Sequence, residues 1–276
     1  MKKRQKGTEH ILNTFNPKKQ VFEIQGKVFK STADQLAVIF GLQRIRFGEE
    51  EEYCVTHPDP QIKAAQTRFW NTYLKGETQI LMRDVIDSLY ATAEDVNKSE
   101  DFVKLLVLYF CAAVFFPNRS GDKLSKKFLK HIFAMDQVSW PDLIHSYLLE
   151  ALGEAEKPII RLRGCTIYIL FWFAEITHFI RKYEGEQGKS KPRFARWNTK
   201  VLAVKIANEG TTYLRQDLTG SFIDPLGEDK QSLITPIEIH QANSDRIGEK
   251  MGKDRERDED RELSPNRDAA HYLDDM

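Results

Sequence analysis

With 276 residues, of which 41% are hydrophobic and 30% charged, the chain can bury a sizeable core in one large or two small domains, and it reads as a soluble globular protein with some polar tails. Its 41 basic and 41 acidic side chains cancel, so no global field recruits nucleic acid or a membrane, and local patches carry the electrostatics. Three cysteines without pair spacing, Cys54, Cys111 and Cys165, exclude a disulfide framework and point to a reducing compartment.

Charge is uneven along the chain. Residues 1–30 hold eight Lys or Arg against two Glu, and residues 181–200 hold seven against two. The last 32 residues reverse this, with eleven acidic against seven basic. Residues 1–14 read as a basic N-terminal tail. Their positive charge has no apolar stretch after it, so they are not a secretory signal, and KKRQK at residues 2–6 is either a nuclear-import signal or a solvated cluster.

The first predicted elements are two short β-prone runs, Val21–Ile24 and residues 28–30, turning around Gly26 as a small hairpin. Ser31 or Thr32 then offers an N-cap oxygen to a helix of about ten residues. Leu36, Ile39 and Phe40 share one face of it, and Gly41 can end it in the left-handed conformation. After an acidic loop that includes HPDP at residues 57–60, helical patterns cover 61–75 and 79–93, the second with Leu81, Val85, Ile86, Leu89 and Tyr90 at spacings of three and four. Ser99 begins the apolar helix FVKLLVLYFCAAVFF, which Pro117 stops. The lysine-rich stretch 125–134 is amphipathic, and Ser139-Trp140-Pro141-Asp142 starts another helix that ends at Gly153. The run GCTIYILFWFAEITHFI at residues 164–180 predicts a central helix over about 159–183. It is too short, and too interrupted by Glu175 and His178, to cross a bilayer. A basic loop at 184–191, the segment PRFARWN and a short helix near 199–208 follow. Residues 211–242 are a weakly structured extension. Residues 243–276 are dominated by charge and read as a disordered tail, because they lack the apolar surface to offset the entropy of ordering. The expected fold is mainly α: a single helical domain over 15–210 with a small N-terminal β-hairpin element.

Taken in order, these pieces resemble the plant mobile domain, a family found in transposon-encoded and domesticated plant proteins and sometimes labelled aminotransferase-like. VFEIQGKVFKSTADQLAVIFGL is similar to the family's opening strand, turn and helix ending in Gly-Leu, here Gly41-Leu42. LLVLYFCAAVFFPNRSGDK is similar to its long apolar helix closed by Phe-Pro-x-x-Ser-Gly, here Phe116, Pro117, Ser120 and Gly121. Trp140 opening a helix with L-x-x-L spacing, the Gly-Cys helix with Gly164, Cys165 and Trp172, and the Pro-Arg-x-x-x-Trp segment from Pro192 to Trp197 complete the series. Pro141 stands where the family usually has Gly, and nothing after 210 has a counterpart. The resemblance implies a helical, nuclear (alternatively cytoplasmic) interaction protein without catalytic residues. It also implies roles in gene silencing, genome and meristem maintenance, and a phosphatase-like protein partner.

The residues themselves offer little chemistry. Glu175-x-x-His178 has the spacing of a carboxylate-bridged metal helix, but no second E-x-x-H occurs, and Cys54-x-x-His57 has no second ligand pair. Aminotransferase chemistry would need a Schiff-base lysine and a phosphate loop in an α/β fold, and neither alternating β and α units nor such a loop is present. No catalytic, cofactor or metal site is therefore assigned. The candidate interaction patch is KSKPRFARWNTK at 189–200, with Lys189, Lys191, Arg193 and Arg196 beside Phe194 and Trp197. Cations interleaved with aromatics suit phosphate contacts and base stacking. The plainer alternative is that the two aromatics anchor the loop while the cations stay solvated. The corresponding functional expectations are a protein-binding scaffold and, alternatively, a nucleic-acid-binding accessory of a transposable element.

Overall fold

A computed structural model of the chain describes residues 2–45, 60–75, 78–118, 123–177, 179–181 and 193–210. All of these fall in one unit of the chain, residues 1–234. The architecture is mainly α with a small sheet near the start, as the hydrophobic periodicity predicts. The weakly structured extension at 211–242, the charged tail expected at 243–276, and Cys54, His57, Ser120, Gly121, His178 and Pro192 lie outside the described residues.

The chain opens with helix α1 (Lys2–Leu12), where a solvated tail is expected. Ile11 and Leu12 are buried, and Gly7 lies against the backbone of the last described helix, α9 (Thr199–Glu209). A Cβ on Gly7 would sit 2.3 Å from the Ala203 carbonyl oxygen, so the two helices cross at a distance only glycine permits. The basic residues at the start of the chain therefore begin a docked helix. Its register is set by a partner at the far end of the domain, which no local pattern reveals.

Strands β1 (Phe15–Asn16), β2 (Val21–Ile24) and β3 (Lys27–Phe29) form an antiparallel sheet in that order, with Phe15 opposite Phe22 and Phe22 opposite Phe29. Gln25 and Gly26 both take positive φ, 52° and 74°, as a two-residue hairpin turn with the twist of its strands requires. Alternation in β2 buries Val21, Phe22 and Ile24 and leaves Glu23 outside. Helix α2 (Ala33–Phe40) has the predicted ends. Thr32 and Gln35 close a reciprocal capping box, and Gly41 at φ 68° accepts the left-handed C-cap.

Helix α3 (Pro60–Tyr73) buries Phe69 and Trp70. The strands β4 (Gln79–Leu81) and β5 (Lys123–Ser125) pair antiparallel around helices α4 (Met82–Thr92) and α5 (Ser99–Phe110). A 3-10 turn at Val96–Lys98, capped by Asp95, leads into α5, and a π turn at Cys111–Phe115 extends it. Helices α6 (Leu129–Phe133) and α7 (Trp140–Gly153) follow, the second with Pro141 in its first turn where proline's missing N–H costs nothing.

The central helix α8 (Thr166–Thr177) is buried on every side from Tyr168 to Thr177. It starts seven residues later than its apolar pattern suggests. The preceding backbone is committed elsewhere: the Ile159 amide donates to Asn13 Oδ1 at 2.8 Å, and the Gly164 amide donates to the Pro117 carbonyl at 2.8 Å. Gly164 itself holds φ 92°, outside any helix, against the backbone of Leu148. Around α8 the core gathers Trp172, Tyr168 and Phe173, with the Phe22 and Trp172 rings 4.7 Å apart.

Candidate interaction surface

Polar chemistry inside the domain clusters where α2, α7 and α8 meet. Ser31, just before α2, places its Oγ 3.0 Å from His145 Nε2 on α7 and 2.9 Å from the Tyr168 hydroxyl on α8. A hydroxyl beside an imidazole has the outline of a nucleophile and its base. Here all three groups are buried, which denies a substrate access, and burial pushes the His145 pKa down to about 4 while raising that of Tyr168. Beside them Arg44 clamps two helix starts. Its NH1 donates to Asp34 at 2.7 Å on α2, and its Nε and NH2 donate to Asp142 at 2.9 and 2.6 Å on α7. Deeper in, the Trp172 indole donates to Gln35 Oε1 at 2.9 Å. These bonds join segments far apart in sequence and satisfy polar groups that the core would otherwise penalise.

The segment singled out for nucleic acid is built the same way. Arg193–Arg196 forms a 3-10 turn, and Trp197 is buried with its indole N–H donating to Glu175 Oε1 at 2.7 Å. The Arg193 guanidinium lies 3.7 Å from the other Glu175 oxygen, with its side chain only 15% exposed. Phe194 packs 5.9 Å from both Phe40 and Phe171. Trp197 therefore offers no face for a base to stack on, and Arg193 is directed to a buried carboxylate. Arg196 is half-buried, while Lys189 and Lys191 lie outside the described residues. The buried Glu175 draws this segment inward, a long-range partner that the local run of cations and aromatics does not show.

Among the described residues the fold leaves an apolar stripe uncovered. Along α5 and the turns at its two ends, Val96, Ser99, Val103, Leu106, Phe110 and Ala113 recur at spacings of three and four and all face solvent. Val96 is 86% exposed, Val103 45%, Leu106 36% and Phe110 44%. Across the hairpin on α4, Tyr90 is 81% exposed. The opposite side of α5 buries Leu105 and Leu108, followed by Cys111 and Ala112 in the π turn. Lys104 bends its amine to Glu100 and over the Phe133 ring, 5.1 Å from the centroid. From 105 to 118 the sequence carries no charged side chain at all. A helix apolar on two faces is usually enclosed. The outer stripe of α5 is present in the spacing, but only the tertiary arrangement shows that this face lacks a neighbour among the described residues. Contiguous exposed apolar surface of this kind marks interaction sites in soluble proteins.

Burial also disposes of the two described thiols as nucleophiles: it pushes the Cys165 pKa up to about 12 and raises that of Cys111. Among the described residues, no group of three or more His, Cys, Asp or Glu could hold a metal ion, and no helix is long and apolar enough to cross a membrane. No curated protein and no solved structure matches the chain. A protein family described as a domain of unknown function, DUF8566, matches residues 2–170, a span that begins with α1 and ends inside the central helix α8. The match covers more than half of the 276 residues, and the chain belongs to the DUF8566 family.

Proposed function

We propose that this chain is a non-enzymatic interaction module whose uncharged α5 stripe docks a protein partner. The observation that carries the reading is the outward series Val96, Val103, Leu106 and Phe110, running from the 3-10 turn along α5, whose other face is already packed. The polar groups with catalytic outlines support it from the other side, because Ser31, His145, Cys111 and Cys165 are all spent in the interior. The motif order shared with the plant mobile domain supports a more specific form: a nuclear scaffold in transposon silencing and genome maintenance, working beside a phosphatase-like protein. Paired capture from plant nuclei tests both. The intact chain should recover a phosphatase-like or silencing protein, and Leu106→Glu with Phe110→Glu should lose it while the fold persists. Equal recovery by both chains would remove the stripe from the reading, and nuclease-sensitive recovery of DNA or RNA would favour the nucleic-acid accessory instead.

A further inference from the structure

We infer that the partner seated on α5 includes a second copy of this chain, packed antiparallel about a two-fold axis near Lys104 and Leu105. This rests on the reading of the stripe as an interaction surface. Four outward positions on the regular part of α5 have heptad spacing, with Ser99 and Phe110 outermost and Val103 and Leu106 between them. When two copies of one helix run antiparallel with their centres aligned, each position meets the one equally far from the centre on the other side. Val103 then faces Leu106 of the second copy, and Ser99 faces Phe110. The small side chain opposite the ring leaves room for it, and two mid-sized aliphatics meet at the middle, which is the interdigitation a tight helix pair requires. Val96 and Ala113, both exposed, continue the same large-against-small matching at the ends.

Electrostatics favour the same occupant. Residues 105–118 carry no charge, and in this register 105–111 lie along 98–104 of the second copy, so Lys98, Glu100, Asp101 and Lys104 each stand opposite an uncharged position and no like charges meet. Lys104 is withdrawn to Glu100 and Phe133 on its own chain, which clears the axis. The stripe and the half-buried Phe102, Val107 and Tyr109 beside it present roughly 500 Å² per copy, against about 800 Å² per partner in a standard stable interface. The pairing is accordingly a reversible one, in the micromolar range.

Sedimentation of the full chain should show monomer passing to dimer between about 1 and 200 μM, and Leu106→Glu should hold it as monomer throughout, with a melting temperature equal to that of the unaltered chain at about 1 μM, where both are monomers. Register is tested in a Cys54→Ser background. An equimolar mixture of Val103→Cys and Leu106→Cys chains should form disulfide-linked dimers at least several-fold faster than either chain alone. A monomer at every concentration, a dimer indifferent to Leu106→Glu, or equal cross-linking in all three samples overturns the pairing. So does a monomer whose melting temperature falls with Leu106→Glu, since the stripe would then be covered by residues of its own chain. A monomer that nevertheless loses its nuclear partner through Leu106→Glu overturns only the pairing and leaves the interaction reading standing.

Discussion

His145 shows how a single buried group makes stability depend on pH. Its pKa falls from 6.5 to about 4, first because burial penalises the imidazolium, and despite Asp142 nearby. Ser31, Lys30 and Arg44 are its other polar neighbours. Between pH 6.5 and 4 the unfolded chain binds a proton that the folded chain refuses, so folding stability drops as pH falls through that window and is complete above it. The loss from pH 7 to pH 5 should be about 2 kcal/mol, read from denaturant midpoints. His131, also lowered by burial, adds in the same direction. His145→Gln should reduce the slope to the part that His131 contributes; an unchanged slope would show that the titration lies elsewhere. Residue identities alone place neither effect, because a histidine's surroundings are set by the helices that close over it.

At the scale of elements, ends are local and contacts are not. Thr32 with Gln35, Gly41, and Trp140-Pro141 are visible as punctuation because capping is satisfied within four residues. Helix α1 has no such signature, and its cations suggest a tail. Its existence depends on Gly7 meeting Ala203, so Gly7→Ala should push α1 off α9 and cost about 1–3 kcal/mol, with earlier proteolysis of the N-terminus. An unaffected melting temperature would mean that α1 contributes nothing to the fold. The late start of α8 has the same origin, since Asn13 and Pro117 take the backbone groups a longer helix would use.

For the whole molecule, a nucleic-acid surface and a structural strap at 193–197 predict different outcomes. Arg193→Ala removes a cation beside the buried Glu175 and should lower stability by about 3 kcal/mol. Together with Arg196→Ala it should leave the salt dependence of any nucleic-acid binding unchanged. A phosphate-contacting pair would instead reduce the slope by about one for each arginine removed and leave the melting temperature alone.

The helices after the first hairpin, that hairpin, the caps and the central apolar helix follow from the sequence by itself, because hydrophobic period and capping chemistry act over a few residues, whereas α1 does not. The same run of letters cannot say which apolar face is covered. KSKPRFARWNTK leaves a binding patch and an anchored loop both open until Glu175 is seen beside Trp197 and Arg193, and FVKLLVLYFCAAVFF is an apolar helix in sequence whose Val103, Leu106 and Phe110 only the packing of its neighbours leaves in solvent. Burial is a property of which elements meet, and only the tertiary structure decides that.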